Sequence, residues 1–284
     1  MRAPFRFCAC LLLVAPLCAR ADERTLTERL RGPLVAAHRG GHPFPDSNTV
    51  ERFEAARLEG ADIVETDLQV SSDGVPFLFH DGNLAPATAC KGPVSAHTAA
   101  EIEACPLVGL SHGPERFEKA LEWSQGRVIV DAELKTAEVV RPAVELVQRY
   151  RAWEWVYFQV RNGWDRYADV RVLDDRIAVE AGPQGRRAEA ELAQLLAMKD
   201  PRIAIIQLHP DTLTKENLAR IHASGKLASI DAWYVARETR LRFWPWHTPS
   251  ACAQVFAQGV DIAVTNTPRA CAEQRDATAR RAAR

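Results

Sequence analysis

Eight short runs of apolar, β-prone residues recur along the 284-residue chain, and this recurrence limits the possible folds more than any other feature. They lie at 34–38 (LVAAH), 62–67 (DIVETD), 128–133 (VIVDAE), 155–159 (WVYFQ), 177–180 (IAVE), 203–207 (IAIIQ), 227–231 (LASID) and 261–265 (DIAVT). Each is nearly continuous in apolar residues instead of alternating, the pattern of a strand covered on both faces of a parallel sheet. Amphipathic stretches at 49–59, 138–150, 186–198 and 212–224 supply the covering helices. Eight such strand–helix units predict an α/β fold, a closed (β/α)8 TIM barrel. No linker or repeat divides the chain, so residues 22–284 are read as one domain with its core at about 34–270.

One run breaks the pattern. Residues 75–80 (VPFLFH) follow 62–68 across only Ser71-Ser72-Asp73-Gly74, whereas a parallel crossover needs a dozen residues or more. They are expected to return antiparallel as a small hairpin inserted after the second strand. With Asp73-Gly74 as a two-residue turn, His80 falls opposite Asp67.

The N-terminus reads as an export signal. Arg2 and Arg6 precede an apolar run from Phe7 to Cys18, too short to span a bilayer, and Ala19-Arg20-Ala21 offers a cleavage site. Residues 1–21 are therefore read as a signal peptide, with cleavage before Asp22 and a periplasmic or secreted product. Removing them takes away three arginines and no acid, so the formal charge of −1 becomes −4 over the remaining 263 residues. Such a balance leaves no basic field for nucleic acid, and no other stretch suggests an integral membrane span. Four cysteines survive cleavage; Cys90 with Cys105 and Cys252 with Cys271 are the sequence-local pairings among the three connectivities open to them.

The chemistry sits at strand ends. Glu65 and Asp67 are two apart on one strand and share a face. Glu133 and Lys135 repeat the spacing on another strand, with Asp131 in phase behind them, and His38-Arg39 ends the first strand. The C-terminal ends of barrel strands are where active sites are built. Buried carboxylates are costly without cations or a metal, and oxygen-only ligands favour Mg2+ or Ca2+ over zinc.

At these residues the sequence resembles the glycerophosphodiester phosphodiesterase family. Its pattern stands here as His38-Arg39-Gly40, Glu65-Thr66-Asp67, Phe79-His80-Asp81 and Glu133-Leu134-Lys135, with Asn48-Thr49 and the run Val260 to Pro268 also in place. The resemblance implies hydrolysis of a glycerophosphodiester to glycerol 3-phosphate and an alcohol. It further implies that Glu65, Asp67 and Glu133 hold one divalent cation, Mg2+ or Ca2+. His38 and His80 would then be the acid/base pair, and Arg39 and Lys135 the phosphate-binding cations. The division suits the reaction: an anionic diester needs its charge neutralised, the leaving alkoxide needs a proton, and the attacking hydroxyl must lose one.

Several features depart from that pattern. Ser47 stands where the family usually has Glu, Asn266 where it has Asp, and Ser229-Ile230-Asp231-Ala232-Trp233 only loosely echoes its Trp-Thr-x-Asn. Asn48 with Glu51 also reads as a helix cap and capping box. Segment 232–250 carries Phe243, Trp244, Trp246 and His247, either as a self-packed lid or as a grip on an acyl chain or choline-type headgroup. The arginine-rich tail 275–284 reads as solvated and mobile. The alternatives are a lysophospholipase D-type lipid phosphodiesterase and a non-catalytic periplasmic phosphodiester-binding barrel. An amidohydrolase barrel would need His-x-His on its first strand, which His38-Arg39-Gly40 does not provide. Oligomeric state is not legible in the sequence.

Overall fold

The computed structural model describes residues 25–41, 47–161, 164–183, 187–235 and 250–282. The stretch 1–21 expected to be a signal peptide, His42 and most of the aromatic segment 232–250 lie outside the described residues. Eight parallel strands close on themselves: β1 (Leu34–Ala37), β2 (Ile63–Val70), β4 (Ile129–Leu134), β5 (Val156–Arg161), β6 (Ala178–Gly182), β7 (Ile203–Gln207), β8 (Leu227–Asp231) and β9 (Ile262–Thr265), with β3 (Pro76–Leu78) antiparallel beside β2. Closure is made by β1, which pairs with β2 through Ala36↔Ile63 and with β9 through Leu34↔Ile262 to Ala37↔Thr265. The protein is thus a TIM barrel, and all eight expected strands form with ends within three residues of their expected positions.

The continuous apolar pattern follows from having two buried faces. Outward side chains such as Val35, Val64, Val130, Phe158, Ile206 and Ala263 pack under the helices, while Leu34, Ala36, Ile63, Ile129, Tyr157 and Ile262 fill the barrel's interior. Before the first strand, α1 (Leu26–Arg29) sends Leu26 and Leu30 into that interior cluster. Helices α2 (Val50–Leu58), α3 (Ala99–Glu103), α4 (Phe117–Ser124), α5 (Val140–Tyr150), α6 (Trp164–Leu173), α7 (Ala188–Ala197), α8 (Lys215–Ala223), α9 (Ala232–Val235), α10 (Ser250–Ala257) and α11 (Pro268–Ala282) follow in order. In α5 the buried Val140, Ala143, Val144 and Val147 recur at the helical period and face the core. Each such valine stabilises by about 1.5–3 kcal/mol, so a charge at Val144 would break that contact. Among the described residues, no helix is long and apolar enough to cross a membrane.

The hairpin register differs by one residue from the expected one. Leu68 faces Leu78 and Val70 faces Pro76, which puts Phe79, not His80, opposite Asp67. The turn has three residues, closed by Gly74 N–H donating to the Ser71 carbonyl at 3.1 Å, with Gly74 at φ +83°. A left-handed glycine at the third position is the bulged three-residue turn, and Asp73 is occupied instead by Ser71 Oγ at 2.6 Å and Ala99 N–H at 2.8 Å.

The inserted segment builds its own core from Phe77, Phe79, Leu84, Val94, Ile102 and Leu107. Disulfides join Cys90 to Cys105 within it and Cys252 to Cys271 between α10 and α11, the two sequence-local pairings. The arginine-rich tail is not loose through residue 282: it is helical in α11, and Arg275 pairs with Asp62 and Asp276.

Candidate active site

Strand register assembles the acidic cluster. Residues Glu65 and Asp67 of β2 lie beside Asp131 and Glu133 of β4, in pairs Glu65↔Asp131 and Asp67↔Glu133. One carboxylate oxygen from each of Glu65, Asp67 and Glu133 falls within 4.8 Å of the others, and all three residues are buried. Three buried carboxylates this close repel one another unless positive charge stands among them. Lys135 supplies part of it, with Nζ 3.1 Å from Glu133 and 3.3 Å from Asp67. Arg39 supplies more, with Nε 3.1 Å from Asp67 Oδ2 and its backbone N–H donating to Glu65 at 2.8 Å. Burial alone would raise the Asp67 carboxyl, but Arg39, Lys135, His80 and a hydrogen bond from Asn48 hold it at about 2. Burial likewise opposes the charge on Lys135, yet Asp67 and Glu133 outweigh it and keep the amine above its ordinary value. The all-oxygen donor set fits a hard divalent cation.

The loop after β1 aims these groups. Arg39 and Asn48 both adopt left-handed backbone, at φ 50° and 59°, and Asn48 N–H donates to the Arg39 carbonyl at 3.0 Å. Gly41, at φ +84°, sits so close to α11 that an added Cβ would lie 2.6 Å from Pro268 Cδ. Asn48 is not the helix cap that its spacing to Glu51 suggested; Thr49 takes that place, accepting from Arg52 N–H at 3.2 Å. Asn48 instead faces inward, donating to Asp67 Oδ2 at 3.0 Å and accepting from Thr66 Oγ1 at 2.8 Å. Its neighbour Ser47 lines the cleft beside His80.

The two histidines flank the cluster. His38 lies across the β1–β9 seam from Asn266, whose Oδ1 is 2.8 Å from Nδ1. That contact leaves Nε2 turned toward the carboxylates, 4.0 Å from Glu65. Trp233 of α9 packs on the same ring at 4.9 Å between centroids. His80 enters from the hairpin side, its carbonyl held by Gln69 Nε2 at 3.1 Å and its Nδ1 2.7 Å from Asp81 Oδ1. The seven sequence-derived site residues therefore converge on one mouth of the barrel. Sequence reasoning missed Trp233 and Asn266 as partners of His38; the departures at those positions were the only signal.

A family model for the glycerophosphoryl diester phosphodiesterase family matches residues 38–215, more than half of the chain. The chain belongs to that family. With it the chain joins the phosphoric diester hydrolases. Among curated relatives it is 27% identical over 221 residues to probable glycerophosphodiester phosphodiesterase 2 of Mycobacterium tuberculosis, covering 72% of this chain and 80% of that protein. Other curated relatives match over shorter stretches, 15–65% of their own length. Solved barrels of similar shape include a glycerophosphoryl diester phosphodiesterase from Parabacteroides distasonis (TM-score 0.70, 22% identity, 89% of this chain and 91% of that one). An Oleispira antarctica phosphodiesterase in complex with the product sn-glycerol-3-phosphate is also similar (TM-score 0.67, 20% identity, 86% and 97% covered).

Proposed function

We propose that the protein hydrolyses glycerophosphodiesters to glycerol 3-phosphate and an alcohol, with one divalent cation, Mg2+ or Ca2+, held by Glu65, Asp67 and Glu133. The observation that carries the reading is the buried carboxylate triad with Arg39 and Lys135 among its oxygens and His38 and His80 on either side, in a chain of this family. The cation would neutralise charge on the phosphate. Arg39 and Lys135 bind phosphate oxygens, and Asn48 keeps Asp67 oriented. Each histidine has its Nδ1 engaged, His38 by Asn266 and His80 by Asp81, and His38 turns its Nε2 toward the carboxylates, so proton transfer is assigned to the Nε2 atoms. One ring takes the proton of the attacking hydroxyl, whose oxygen bonds to phosphorus. The other gives a proton to the departing alcohol oxygen, which leaves with the electrons of the broken P–O bond.

Export belongs to the same proposal: the signal-like N-terminus and two disulfides suit an oxidising compartment, with residues 22–284 acting as one unit. The test is release of glycerol 3-phosphate from glycerophosphocholine by purified residues 22–284 with Mg2+, Ca2+ or EDTA. Metal-dependent release that is lost in Glu65→Gln is the expected result. Equal release in EDTA would overturn the metal role, and no release with any metal would overturn the activity.

A further inference from the structure

A cleft of about 290 Å³ opens beside the carboxylate cluster on the hairpin side of the barrel mouth. Arg39, Ser47, Asn48, His80 and Asp81 are its polar lining, and Phe79, Ala87 and Leu107 form an apolar wall. The opposite half of the barrel interior is polar: Gln207 donates to Asp231 at 3.3 Å, and Gln159 and Ser229 donate to Glu180 at 3.0 and 2.9 Å. A glycerophosphodiester is itself two-sided. Its glycerol hydroxyls are costly to bury where nothing can pair with them, so the glycerol half suits the polar side. The apolar wall then faces the second ester group.

That wall is braced. Val108 N–H donates to the Ala87 carbonyl at 2.9 Å, Ala89 N–H donates to the Pro106 carbonyl at 3.0 Å, and Thr88 faces Leu107 in an antiparallel bridge. Continuing this register puts Cys90 opposite Cys105, where the disulfide lies with its Cα atoms 5.7 Å apart. The ladder and disulfide hold Ala87 and Leu107 at fixed depth, and a fixed wall discriminates by size and polarity where a yielding one would not.

We propose that this cleft receives the leaving alcohol, and that Ala87 and Leu107 select a compact alcohol with an apolar body over a polyol. The inference rests on the phosphodiesterase reading and deepens it. His80, lining the same cleft, is then the ring that hands its proton to the alcohol oxygen, and His38 the ring that takes one from the attacking hydroxyl.

The test compares glycerophosphocholine with glycerophosphoinositol as substrates, and uses glycerol 3-phosphate, which lacks the alcohol, as a competitive inhibitor. Filling the wall with Ala87→Leu should raise KM for glycerophosphocholine about tenfold and leave inhibition by glycerol 3-phosphate within about twofold of wild type. Opening it with Leu107→Ala should shift kcat/KM toward glycerophosphoinositol by about fivefold or more. Far-UV circular dichroism and a count of free thiols establish that both variants fold with their disulfides intact. Glycerol 3-phosphate inhibition weakening in step with KM would place the wall on the glycerol side and overturn the inference. Unchanged preference in both folded variants would overturn it equally. A wild-type protein that hydrolyses neither diester but binds glycerol 3-phosphate would instead refute the phosphodiesterase reading.

Discussion

Replacing Asn48 tests how the loop after β1 supports the acidic cluster, because three separable interactions meet there. The residue is buried, donates to Asp67 Oδ2 at 3.0 Å, accepts from Thr66 Oγ1 at 2.8 Å and holds left-handed backbone at φ 59°. Loss of a hydrogen bond to a charged oxygen costs about 1.5–3 kcal/mol, and an alanine forced into left-handed backbone roughly 1–2 kcal/mol more. Asn48→Ala should therefore destabilise by about 2.5–5 kcal/mol, which in a chain of this size lowers Tm by roughly 10 °C. Asn48→Gly relieves the backbone but not the hydrogen bonds, so it should recover about 1 kcal/mol of that loss. Asn48→Asp tolerates the backbone but turns the donor into a negative charge facing Asp67, and should be no more stable than alanine. Denaturant unfolding followed by circular dichroism reads all three, with turnover measured alongside. An alanine variant as stable as wild type would refute the hydrogen-bond argument, and glycine no better than alanine would refute the backbone argument.

Lys135→Met removes a cation from Asp67 and Glu133 and a partner for the phosphate. Turnover of glycerophosphocholine should fall roughly 10²- to 10³-fold, with the fold retained by circular dichroism; a loss under about tenfold would remove Lys135 from the site. His80→Ala should be far less damaging with a p-nitrophenyl ester of glycerol phosphate than with glycerophosphocholine, since a good leaving group needs no proton, while His38→Ala should slow both alike. Equal losses for His80→Ala on the two substrates would contradict its role as acid. Asp174 and Asp200 are each gripped by the Arg two residues on, Arg176 and Arg202, which holds both carboxyls well below the usual range. Folded-state values below unfolded ones mean stability present above about pH 4 and lost as pH falls through that range; melting against pH should flatten there in the double variant Asp174→Asn, Asp200→Asn, and an unchanged slope would count against it.

Most of the barrel was legible because a strand buried on two faces must be apolar nearly throughout, and Val64, Val130 and Ile206 on the outside with Ile63, Ile129 and Ile205 inside meet that demand. Glu65, Asp67 and Glu133 stood out as charges in such runs. Sequence spacing fails where a single dihedral decides. Gly74 in left-handed backbone lengthens the hairpin turn and shifts its register, and the same conformation at Asn48 turns a reasonable cap inward onto Asp67. It fails again where partners are remote: Asn266 meets His38 across 228 positions, a contact that exists only once the barrel closes. The tail misled because its arginines suggest solvent, whereas Arg275 is drawn to Asp62 just ahead of β2.

That seam makes the active site a readout of completed topology. Strand β1 carries into His38, and β9, the last barrel strand in chain order, carries into Asn266, so the contact between Nδ1 and Asn266 forms only when the first and last strands of the cylinder meet. A chain folded up to β8 would already possess its carboxylates, its lysine and its hairpin, yet lack the Asn266 contact of His38. The geometry around His38 is thereby tied to closure of the cylinder rather than to any one strand.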